Sequence, residues 1–175
     1  MADAAVLNLG LVDSINAITL GEPGSRTFNL TASSDRGEAI VWMEKEQLLQ
    51  VGITLKQLIE TRESTADPVP FDAGPPGFEP PITAEFKTGE MSLRHDSGSD
   101  VFTLRTQDPG GSEDASAVVR EIEFSFKRAD AEKLSEEILR IVAAGRPPCP
   151  LCGGPLNPGG GHFCVKVNGH YTGQE

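Results

Sequence analysis

The chain has 175 residues and a formal charge of -11, from 15 basic against 26 acidic side chains. That excess speaks against a broad electrostatic footprint for nucleic acid or anionic lipid, while 38% hydrophobic residues suffice to bury a core. Three cysteines are too few for a disulfide framework. With no basic-then-apolar leader and no bilayer-length apolar run, a soluble cytoplasmic protein is expected, with no membrane contact.

In chain order, Leu7–Val12 reads as an opening strand that adds to a sheet edge. Ile15–Leu20 and Arg26–Ala32 read as strands joined by the Gly21-Glu22-Pro23-Gly24 turn, with Phe28, Leu30 and Ala32 alternating. Glu38–Met43 is a third strand, on which Trp42 is assigned to the core. A helix follows from Glu44 to Thr61, with Leu48, Val51, Leu55, Leu58 and Ile59 on one face. Gly52 in its middle weakens that helix by about 1 kcal/mol.

Six prolines between 68 and 81 exclude a helix or central strand, so 63–84 reads as a linker between two halves. Beyond it, Glu85–His95 reads as one strand, with His95 expected at the surface. Val101–Thr106 and Val118–Phe126 are the next two strands, and a helix over 129–144 buries Ala131, Leu134, Ile138, Ile141 and Val142. The order is three strands and a helix, twice. The predicted fold is α+β: antiparallel sheet from two β-β-β-α units, both helices on one face, and a short C-terminal zinc knuckle.

The boundary falls at Gly145-Arg146-Pro147-Pro148, a helix stop, giving a duplicated domain over 1–145 and a tail over 146–175. The tail holds three charged residues, Arg146, Lys166 and Glu175, and too few aliphatic residues for a core of its own. Its Cys149-Pro150-Leu151-Cys152-Gly153 run sets two thiolates at the separation one tetrahedral zinc needs. Gly153 is expected to turn amide N–H groups towards the sulfurs. His162 and Cys164 complete a Cys3His set, with His170 in reserve. Four ligands leave no open position, so the zinc is structural. A disulfide or a thioredoxin-type pair fits less well, since the motif follows a helix end and Cys164 would be stranded. The Pro-Cys-x-x-Cys of zinc deaminases requires an upstream His-x-Glu, and His95 is followed by Asp96-Ser97.

Several of these segments together carry a resemblance. They are Gly21-Glu22-Pro23-Gly24-Ser25-Arg26-Thr27-Phe28, Glu44-Lys45-Glu46-Gln47, Gly89-Glu90-Met91, and Ala143 through Gly153 followed by His162-Phe163-Cys164. In this order they resemble the bacterial family catalogued as domain of unknown function 3090, found mainly in actinobacteria and chloroflexi, over nearly the whole chain. The resemblance implies a cytosolic protein. The ending Asn168-Gly169-His170-Tyr171 departs from the family's Asn-Gly-Tyr-Arg, so His170 does not follow as a family ligand.

Arg26 beside the glycine-rich turn and Lys45 at the helix start form a candidate anion site. The plainer reading is a hairpin turn and an ordinary first helical turn, and it is favoured. No nucleophile and base stand in a recognisable arrangement. The expected function is therefore a non-catalytic zinc-binding module engaging a protein partner. Alternatives are an enzyme acting on an anionic or phosphorylated small molecule, and a nucleic-acid-binding protein, which the charge disfavours.

Overall fold

The structure is a computed structural model that describes residues 6–61, 82–109, 121–145, 149–152, 154, 156 and 162. Its elements run β1 (Val6–Leu11), β2 (Ser14–Leu20), β3 (Thr27–Ser34), β4 (Gly37–Met43), α1 (Lys45–Thr61), β5 (Ile82–Lys87), β6 (Met91–Asp96), β7 (Val101–Gln107), β8 (Glu121–Lys127) and α2 (Arg128–Ala143). The fold is α+β, as the alternating strands and striped helices predict.

The strands divide between two four-stranded sheets, β2-β3-β4-β5 and β1-β8-β7-β6. Each contains an antiparallel meander, β2-β3-β4 or β6-β7-β8, followed in the chain by its helix. Each is completed by a parallel strand from the other half: β5 on β4, and β1 on β8. The chain crosses between sheets at two points. Val12 N–H donates to Ser125 while Asp13 N–H donates to Ser33, and Thr88 N–H donates to Trp42 while Gly89 N–H donates to Gln107. The second crossing divides the expected single strand over 85–95 into β5 and β6. The expected linker lies mostly outside the described residues, and its last positions, 82–84, belong to β5.

Period-2 alternation sends Ile15, Ala17, Phe28, Leu30, Val41 and Phe86 inward from the first sheet, and Phe102, Leu104, Ile122, Phe124 and Phe126 inward from the second. The helices pack on each other between these surfaces: α1 meets β3 and β6, α2 meets β2, β7 and β8. Leu48 and Leu134, at 0% and 1% exposure, share the one core. Gly52 serves that contact. A Cβ there would lie 2.6 Å from Cγ2 of Ile138, and the Ser135 hydroxyl donates to the Gly52 carbonyl at 2.9 Å. At Gly37, with φ of 141°, a Cβ would collide with the Ile82 backbone. That glycine lets β5 close on β4.

Two placements differ from expectation. Trp42 is half-buried on the outer face of the first sheet, where its indole N–H donates to Glu85 at 2.8 Å. His95 is buried, at 2% exposure, and stacks on Phe102 with centroids 4.4 Å apart. Strand parity decides both, since Val41 and Met43 take the inward positions around Trp42, and His95 points the same way as Met91 and Leu93.

Candidate metal centre

After α2, Gly145 N–H donates to the Val142 carbonyl, closing the helix. Cys149, Cys152 and His162 then come together, with their ligand atoms all within 4.8 Å of one another. Cys149 is 7% exposed. Its backbone N–H donates to the Gly154 carbonyl at 2.7 Å, which closes the turn on itself. The Gly154 N–H donates to Cys152 Sγ at 3.4 Å, and His162 Nε2 lies 3.3 Å from the same sulfur. A Cβ at Gly154 would stand 3.3 Å from both Cys152 Sγ and His162 Cε1. Glycine thus lets the backbone approach the ligands and supply an amide to sulfur. Gly153, to which that part was assigned from sequence, lies outside the described residues, as do Cys164 and His170.

The thiols are not joined in a disulfide. Backbone N–H groups of Cys152 and Leu151 at its sulfur, aided by His162 and Cys152 and opposed by burial, lower the Cys149 pKa to about 6. These contacts favour the thiolate, the form that ligates metal. A tetrahedral site with metal–sulfur bonds of about 2.3 Å has edges of about 3.7 Å, which a spread of 4.8 Å reaches with small adjustments. Two sulfurs and an imidazole suit soft or borderline cations and not magnesium or calcium.

The other two candidate residues sit by the carbonyl end of α2. Arg26 Nη1 donates weakly to the Ile141 carbonyl at 3.5 Å, and Lys45 Nζ lies 3.1 Å from where a Cβ on Gly145 would stand. Both cations face the negative end of the helix dipole. A cavity of about 260 Å³ opens among Glu90, Met91, Thr106 and Gln107, and at its wall Arg105 is tied to Glu121.

A polar cluster that the sequence reading missed joins His95, Asp100 and Arg128. Arg128 grips Asp100 through Nε at 2.6 Å and Nη2 at 2.8 Å, while His95 Nε2 lies 2.9 Å from Asp100 Oδ1. An ionised carboxylate only accepts, so Nε2 carries the proton. The one signal available beforehand is an aspartate closing the Asp96–Asp100 turn, which the structure places at φ 56°. The buried imidazole makes this a structural clamp.

Fold and site together define an α+β protein with a thiolate–imidazole cluster that could hold a metal ion. A family model described as "Protein of unknown function (DUF3090)" matches residues 8–164, and the chain belongs to that family. No curated protein and no solved structure gives a significant match. No helix among the described residues is long and apolar enough to cross a membrane.

Proposed function

We propose that the chain is a non-catalytic binding module whose tail folds around one structural zinc ion and presents its tip to a protein partner. The observation that carries this reading is the convergence of Cys149, Cys152 and His162 within 4.8 Å, in a segment whose described residues stand outside the main apolar cluster. Binding of zinc by such ligands, on the order of 10 kcal/mol, is enough to order a segment with no core. Cys164 is the fourth ligand in this reading, which leaves no coordination position for water and makes the metal a scaffold. Between the cysteines stands Leu151, 55% exposed. A large apolar side chain on a rigid turn is suited to anchoring in a partner's pocket.

Elemental analysis of protein purified without added metal tests the first half, with about one zinc per chain expected. Loss of zinc is expected in Cys152→Ser. Capture from lysate tests the second half: a stoichiometric protein should be lost in both Cys152→Ser and Leu151→Glu, while Leu151→Glu keeps its zinc. Absence of zinc defeats the metal reading. Capture indifferent to Leu151→Glu defeats the docking reading.

A further inference from the structure

The turn that carries Cys149, Cys152 and His162 draws its order from ligands and not from a core. None of its described residues enters the apolar cluster. The bond from Cys149 N–H to the Gly154 carbonyl closes its first loop, and His162 meets that loop at the Cys152 sulfur. Two of the three ligands are sulfurs, which oxidants attack in their thiolate form. Cys149 and Cys152 are free of any disulfide, and their sulfurs lie within 4.8 Å of each other. A disulfide needs about 2.05 Å. A rotamer change at one cysteine swings its sulfur by about 3 Å, which is the size of the gap. Access separates the two, since Cys149 is 7% exposed while Cys152 is half-buried. An oxidant arriving from solvent meets Cys152 first and has Cys149 behind it.

We infer that Cys149 and Cys152 form a redox switch, in which hydrogen peroxide joins them in a disulfide, expels the zinc and releases the tail. The inference rests on the zinc reading above and adds the regulation of that site. The Cys152 thiolate attacks one oxygen of the peroxide. The O–O bond breaks, hydroxide leaves, and the sulfur has lost two electrons as a sulfenic acid. The Cys149 thiolate then attacks that sulfur, so that an S–S bond forms, the S–O bond breaks and a second hydroxide leaves. Two protons from solvent turn both hydroxides into water. Zinc is held by thiolate and not by disulfide sulfur, so the ion keeps His162 and Cys164, two donors where a closed site has four. It leaves, and the ordering of a coreless segment goes with it. The two-sheet unit is untouched, because its apolar cluster holds neither cysteine.

The full chain, purified with its zinc and treated with hydrogen peroxide in molar excess, tests this, with a chromogenic chelator reading the metal released. Nearly all of the zinc should appear in solution. Of the three cysteines, one should stay open to alkylation, and peptide mapping should find Cys149 joined to Cys152. A phosphine reductant with added zinc should restore the starting state, and the urea transition of the two-sheet unit should hold still through the cycle. Zinc that stays bound overturns the inference. So does release through sulfinic or sulfonic acids, which the reductant cannot reverse, and so does a disulfide made to Cys164. A chain with no zinc before peroxide is added defeats the metal reading and the switch together, whereas a chain that holds its zinc against peroxide defeats the switch alone.

Discussion

Asp100 shows how one carboxylate can join three elements. It follows β6, begins the approach to β7, and receives the first residue of α2 through both nitrogens of a bidentate grip. Arg128 also stands 5.9 Å from the centre of the Phe102 ring, on which His95 stacks from its own strand. Hydrogen bonds from Arg128 and then His95 lower the Asp100 pKa from 3.8 to about 2. The carboxylate is 46% exposed, so solvent screens part of this interaction. An acid whose pKa is lower folded than unfolded stabilises fully above its unfolded value, and the stabilisation is lost as pH falls through the folded one. Asp100→Asn removes the charge while tolerating a φ of 56°. The variant should be less stable than the wild type in urea at pH 7, with the gap narrowing from about pH 4 downward and nearly closed at pH 2. A gap that is constant with pH would show that shape, and not charge, matters at this position.

At the scale of elements, the helix pair is set by a missing side chain. A glycine in the middle of an exposed helix would gain about 1 kcal/mol on replacement by alanine. At Gly52 the added Cβ would meet the fully buried Ile138 at 2.6 Å, and overpacking of that kind costs about 1–3 kcal/mol. The clash wins. Gly52→Ala should lower stability by up to about 2 kcal/mol by urea denaturation, and Gly52→Val by more. A gain in either would mean that the helices separate freely. The same residue marks a limit of reading sequence. The amphipathic stripes of α1 and α2 and the period-2 strands were legible, because each pattern is local. That Gly52 favours a close helix crossing was not, because the sequence shows only its cost to the helix. Nor did the sequence show where β1 and β5 pair, since parallel partners are distant in the chain. Cys149, Cys152 and His162 were legible because their chemistry is rare and their spacing short. His95 was misplaced because a histidine beside a turn carries no mark of the Phe102 ring and Asp100 waiting for it.

Over the whole molecule, the exchange of β1 and β5 interlocks the two halves. Removing either half strips its partner of one strand and of the helix packed across it, so neither can unfold alone. The crossings at Val12-Asp13 and Thr88-Gly89 join the sheets through hydrogen bonds as well as through the chain. One cooperative transition follows, in which far-UV circular dichroism and Trp42 emission coincide. The tail stands in a different relation to this unit. The apolar cluster runs from Leu9 to Ile138, with Ile141 and Val142 packed at its margin, and includes none of the tail's described residues. Removing metal with a chelator should therefore leave the urea transition of the two-sheet unit within about 0.5 kcal/mol of its starting value, the range of changes remote from a core. The same treatment should speed proteolysis after Leu151, because the turn loses the ligand bonds that hold it. Truncation after Gly145 should reproduce the unchanged transition. A fall of more than about 1 kcal/mol on chelation or truncation would show that the metal-bearing turn braces the sheets, and the tail would then be part of the fold rather than an appendage to it.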